Sequence, residues 1–271
     1  MRDLFGMEMY KLRKHKLTWA SAIVCFAVSF ILPILGKVFS HVLYSILAGA
    51  NQTELLSEAD RLIFEFDKPM AFSVLLRAPF GGLTLVLIFV FIAASSFLYL
   101  DIGGGYIKNI AGQLRSRGQS CYGKYAAVCI QALIFMICGF VGGVLGTLVS
   151  RGIYFDSEIA AGLLEFFLKW LVICGLDAVL LFFSAGIGSK ALGIVFAVVF
   201  GTGSLAMIYM PLSFGVRMLF RLEYFDLSQY MPDQILSLVK INVWAALIGG
   251  AVLIAVFFPL TVSVLNKKDV K

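Results

Sequence analysis

Runs of about 20 apolar residues limit what this chain can fold into, because each is long enough to cross roughly 30 Å of hydrocarbon as a helix. They recur six times, near 17–36, 80–100, 125–149, 160–184, 190–211 and 243–264. Leu, Phe, Val, Ile, Ala and Gly follow one another without the alternation a membrane barrel needs, so each run reads as a helix. The composition agrees: 61% of the residues are hydrophobic, 14% are charged and the mean hydropathy is +0.95. A soluble domain is nearer half apolar and a quarter charged. The expected fold is therefore an all-α polytopic membrane protein, one transmembrane domain over residues 1–271 with six spans. The first span reads as a retained anchor: its core is longer than a signal h-region and no A-x-A-type site follows Leu35.

Charge sets the expected orientation. With the N-terminus inside, the inner segments hold 13 basic residues against 4 acidic, and the outer segments 8 basic against 10 acidic. The Lys/Arg excess marks the cytosolic side. Both termini are then cytosolic, in the cytoplasmic membrane of a bacterium. The net charge of +6 reports topology and contact with anionic lipid rather than nucleic acid. The five cysteines, Cys25, Cys121, Cys129, Cys138 and Cys174, show no CxxC or Cys/His metal spacing. They read as small apolar packing residues.

Residues 1–16 are expected to form an interfacial helix with Leu4, Phe5, Met9 and Leu12 toward lipid and Glu8, Lys11 and Lys14 toward water. Residues 53–66, TELLSEADRLIFEF, read as an outer amphipathic helix, with Pro69 and Pro79 breaking the approach to the second span. The NQT sequon at Asn51 reads as chance. In the third span Gly139, Gly142, Gly143 and Gly146 form two small-xxx-small pairs, which let helices approach closely; the fifth span is also glycine-rich. Residues 211–242 read as an outer amphipathic or re-entrant segment, with Phe214, Met218, Leu222 and Phe225 on one face and Arg217 and Arg221 on another.

Most candidate chemistry fails on inspection. GQSCYGKY, Gly118–Tyr125, nearly spells a phosphate-binding G-x-x-x-x-G-K-[ST] loop, but Tyr125 stands where a magnesium-binding hydroxyl is needed, and no buried strand precedes it. The only histidines are His15 and His41, and no HExxH exists, so an intramembrane protease is not indicated. No catalytic residue, metal site or bound cofactor is expected. A possible intramembrane polar site remains in the fourth span: Glu165, Lys169 and Asp177. Glu165 and Lys169 lie four apart with Glu first, the order that favours a local ion pair, close enough to the outer end for Lys to snorkel; they read as a local or interhelical pair rather than a transport site. Asp177 is deeper. It is either a proton or ion site or a residue bonded to a neighbouring helix.

The segment DIGGGYIKNIAGQLRSRGQSCYGKY, Asp101–Tyr125, is written for water. Asp101 closes the second span, Gly103–Gly105 turn the chain, Tyr106–Leu114 has the spacing of a short helix, and Arg115, Arg117 and Lys124 lead into the third span. The order acidic–x-x-x–Gly–x–Ile–Lys–Asn, then Arg, then an aromatic with Gly-Lys, resembles the permeases of type-2 ABC exporters. In that family an acidic residue ends the second span, a Gly-Thr-Ile-Lys-Asn-like run forms the coupling helix, and an Arg and a Lys lead into the third span. The matching positions are Asp101, Gly105, Ile107, Lys108, Asn109, Arg117 and Lys124. Asp101 stands for the usual Glu and Tyr106 for a common Thr. The layout is similar too: an interfacial helix, six spans, a coupling loop over 101–124 and an outer segment between spans five and six.

The resemblance implies a non-catalytic permease subunit. Two permeases, alike or homologous, would pair, each docked on an ABC ATP-binding subunit that holds ATP and magnesium, two copies in all. The small size and short loops resemble permeases that export antimicrobial or amphipathic peptides, including self-immunity exporters, or drugs. Two other readings are a stand-alone ion-coupled secondary transporter using Asp177 and Glu165, and a membrane scaffold that transports nothing.

Overall fold

A computed structural model describes residues 2–49, 63–64, 66–80, 84–103, 118–220 and 226–267. Nearly all of them are helical. The chain opens with α1 (Arg2–Lys14) and α2 (Lys16–Gly49). A parallel two-residue bridge then joins β1 (Met70–Ala71) to β2 (Ile153–Tyr154). Between these strands lie α3 (Phe72–Arg77), α4 (Thr84–Gly103) and α5 (Gln119–Ser150). After β2 come α6 (Ile159–Leu181), α7 (Lys190–Thr202), α8 (Ala206–Phe220), α9 (Pro232–Ile235) and α10 (Val243–Lys267).

Among the described residues four helices are long and apolar enough to cross a membrane: α2, α5, α6 with its continuation, and α10. The α7–α8 pair, bent by 60°, makes a fifth if it is counted as one broken span. The chain is thus an all-α membrane-embedded protein. The remaining expected span falls on α4, whose apolar stretch Val86–Leu100 is shorter than the others.

Several expected boundaries move. The first span was expected to end at 36, but α2 continues to Gly49. The fifth, expected unbroken over 190–211, breaks at Gly203, whose φ of 63° is left-handed and ends α7; glycine adopts that conformation without a Cβ penalty. The second half, α8, takes in both the end of the expected span and the start of the expected outer segment, and leaves Phe214 and Met218 exposed. Leu222, Phe225 and Arg221 lie outside the described residues, as does most of the 53–66 segment.

The interfacial helix is present as α1, but its stripe serves protein rather than lipid. Leu12 and Glu8 are buried, Glu8 pairing with Lys11 at 2.8 Å, and the backbone of Leu4 lies over Gly123 of α5. Phe5 and Tyr10 are the exposed apolar side chains. At His15 the chain turns into α2; His15 Nδ1 and Thr18 Oγ1 share a hydrogen bond of 2.9 Å, and Gln131 Nε2 donates to the same oxygen at 2.9 Å. Burial at this turn lowers the pKa of His15.

At the centre stands α6, in which every residue from Val172 to Leu181 is buried. Phe91, Phe97, Phe135, Ile173 and Leu180 pack there. Lipid is as apolar as these side chains, so close backbone contact rather than exclusion of water holds membrane helices together. The third-span glycines supply it. A Cβ on Gly142 or Gly146 would run into the carbonyl oxygen of Phe26 or Phe30 on α2. Gly175 of α6 lies against Gly250 of α10, a Cβ there falling 3.0 Å from its carbonyl oxygen. By contrast a Cβ on Gly143 would meet only Leu75 Cδ2, at an ordinary contact distance of 3.9 Å. Gly142→Leu should therefore cost about 1–3 kcal/mol through overpacking, while Gly143→Ala changes little. Thermal melts in detergent measure both, and a wild-type melt for Gly142→Leu rules out the α2–α5 contact.

Candidate functional site

Three polar centres stand out against this apolar background. The first joins the tops of α3 and α6 at the end of the bundle farthest from the N-terminus. Gly162 allows the approach, since Ser73 O would lie 2.9 Å from a Cβ placed there. Arg77, the last residue of α3, is buried. Its Nε donates to Glu165 Oε1 at 3.1 Å and its Nη2 to Glu158 Oε2 at 2.7 Å. Lys169 Nζ donates to Arg77 O at 2.6 Å and also to Leu238 O. One ammonium thus ties α3, α6 and the chain before α10 together. Nearby, Ser73 Oγ donates to Asp156 Oδ2 at 2.5 Å and Ser73 N to Oδ1 at 3.2 Å.

Of the two expected arrangements, a local or an interhelical pair, Glu165 takes the interhelical one. Glu165 and Lys169 are four apart, but Glu165 turns to Arg77 and Lys169 to two carbonyls. The reason is supply: α3 brings a guanidinium and a carbonyl that fit the two groups better than they fit each other. Glu165 Oε2 is left buried without a hydrogen bond. Arg77, Glu158, Ser73 and Asp156 were not picked out from the sequence; the one available signal was an arginine just before Pro79 in an otherwise apolar approach to a span.

The second centre is Asp177, on the buried stretch of α6. It is 1% exposed, and among the described residues neither carboxylate oxygen has a hydrogen-bond partner. Among the described residues no bond from it to a neighbouring helix is formed. On the same stretch of α6, Tyr125 Oη donates to Cys174 O at 2.9 Å and Trp170 Nε1 donates to Cys129 O at 2.8 Å. Five residues on, α6 widens into a π turn, Phe182–Gly186, closed by Ile187 N donating to Phe182 O at 2.9 Å. Such turns are frequent at functional positions.

The third centre is the loop expected to couple to a partner. Gly105, Tyr106, Ile107, Lys108, Asn109 and Arg117 lie outside the described residues. Asp101 sits in the last turn of α4. Lys124 was expected in the loop, but α5 begins six residues earlier than the expected span, and Lys124 is in its second turn. There it is 3% exposed and donates to Leu98 O at 3.1 Å. Gly118 N, at the start of α5, donates to Asn266 Oδ1 of α10 at 2.8 Å. The ends of α4, α5 and α10 are thereby joined where the loop begins and ends. Among the described residues no group of three or more metal-ligating side chains comes together.

No family model matches this chain, and neither a curated protein nor a solved structure does.

Two tests arise from the first centre. Arg77→Met leaves Glu165 buried and uncompensated and should cost about 3 kcal/mol; the Arg77→Met/Glu165→Gln double variant should recover part of it. Equal melting losses for both would show that the pair is not coupled. The hydrogen bonds from Ser73 hold the Asp156 carboxyl below its ordinary value. Its folded pKa lies under the unfolded one, so its stabilisation is complete above about pH 3.9 and is lost as pH falls through the lower folded value. Ser73→Ala should flatten that acid limb in a pH series of melts; an unchanged limb removes Asp156 from the account.

Proposed function

We propose that this chain is the membrane-spanning permease subunit of an ATP-driven ABC exporter, with six spans once α4 and the bent α7–α8 pair are each counted as one. In this reading both termini and the 104–117 loop face the cytosol. A separate ATPase subunit docks on the loop and binds ATP and magnesium, and a hydrophobic or amphipathic substrate, a peptide or drug, moves outward along the interface between two permeases.

The observation that carries the reading is mechanical. A push on the loop enters α4 and α5 together, because Lys124 of α5 holds the Leu98 carbonyl of α4. It reaches α10 through Gly118 and Asn266. A ligand or partner can shift a packed bundle only by contacting its two states differently. A short basic loop on a jointed trio of helix ends gives a partner that purchase.

A tagged chain drawn from its native membrane in mild detergent should carry a stoichiometric ATPase, and Gly105→Pro with Lys108→Glu should abolish both co-purification and transport while insertion stays normal. Wild-type transport by that variant sinks the coupling assignment. A second reading has one observation in its favour, the carboxyl of Asp177, unpartnered among the described residues: a stand-alone ion-coupled transporter. That protein would work without an ATPase and stop on Asp177→Asn.

A further inference from the structure

Two helices in this bundle are longer than a bilayer is thick. With 34 residues α2 measures about 51 Å, and with 32 residues α5 measures about 48 Å. Hydrocarbon accounts for about 30 Å, and even a tilt of about 40° leaves α2 covering about 39 Å. Its first residue, Lys16, belongs at one interface. The last third of α2, with the matching end of α5, therefore rises past the other. Polar groups mark the crossing: Lys37 Nζ pairs with Asp67 at 3.0 Å and donates to Ser150 O at 2.9 Å, and His41 lies beside the same carboxylate.

Past that level α2 still exposes apolar side chains. Phe39 is 67% exposed and Val42 48%. Together with Gly143 of α5, Val74 of α3 and Val239 these residues line a groove of about 740 Å³, within the range of small-molecule sites. Arg151 is the only charged residue among its described lining; its guanidinium lies over the Phe66 ring, 5.6 Å from the centroid. The lining runs from Ser29 and Leu32, on the membrane side of that crossing, to Val42 beyond it. An apolar trough that reaches from the hydrocarbon to the interface, with a cation in its wall, matches one chemistry: a long apolar tail with an anionic head.

We propose that this groove is a binding site for the tail of an anionic, single-chain amphiphile of the adjoining leaflet, with its head toward Arg151. The site depends on the chain being embedded in a membrane and stands apart from the exporter reading.

The test uses the full chain in phosphatidylcholine nanodiscs and dodecanoate carrying a photoreactive group at its tail. Labelling should be saturable, should be competed by plain dodecanoate and should map to α2 and α5 around Phe39, Val42 and Gly143. Gly143→Phe fills the groove from α5, where no neighbour stands closer than 3.9 Å; Val42→Trp fills it from the exposed face of α2. Each should reduce labelling to that of bulk lipid with an unchanged melt. Arg151→Gln should weaken dodecanoate about fivefold and leave a dodecylamine probe unaffected. Labelling that never saturates and is equal in the filled variants means annular lipid only and overturns the site. Saturable labelling elsewhere overturns its location, and equal labelling by dodecylamine overturns the anionic head.

Discussion

A lysine ammonium buried among apolar helices has to be met by acceptors, and the far end of this bundle is arranged around meeting it. Lys169 holds the carbonyls of Arg77 and Leu238, backbone groups from segments far apart in sequence. Short α3 ends at Arg77, so the acceptor for Lys169 and the guanidinium for Glu165 arrive on one residue. Remove any member and another is left buried and charged, which in a low-dielectric surrounding costs more than the contact itself contributes. The groups therefore stand or fall together, and with them the position of α3, the parallel β1–β2 bridge beside it and the wall of the groove that α3 provides.

The rest of the bundle obeys a softer rule. Where lipid competes equally for apolar side chains, helices that must stay together approach until backbones touch. Gly142 and Gly146 do this for α2 and α5, and Gly175 and Gly250 for α6 and α10. The two long helices are thereby matched along most of their length, which is why α2 can continue past the level where a lone span would stop.

How much of this was legible depended on whether the deciding partner was near in sequence. Apolar runs announce spans by composition alone, so the helices lie close to where they were expected, and the small-xxx-small spacing named the glycines that face α2. Helix ends were not legible. Lys37 read as the edge of a span, because nothing local says that its ammonium will be used by Ser150 and Asp67 while the helix runs on. Gly203 read as one more packing glycine; its left-handed conformation is set by the sharp turn of the chain into α8. Glu165 and Lys169 carried the right spacing for a pair, yet Arg77, 88 positions from Glu165, takes the carboxylate. Lys124 read as a loop cation, since the Leu98 carbonyl that draws it into the bundle is 26 residues away.

The bend at Gly203 has a consequence for thickness. With 13 residues α7 reaches about 20 Å, too little to cross. The 15 residues of α8, leaning by 60°, add about 11 Å of height, and the pair just closes the gap. A straight span has one length and must tilt as a whole when the bilayer thins or thickens. A hinged one changes height by opening or folding at a single residue. Exposed Met207, Met210 and Met218 on α8 are unbranched and pliant enough to keep contact with lipid through such a change. The height that the α7–α8 pair covers is thus set by the angle at one glycine rather than by the number of residues in a helix.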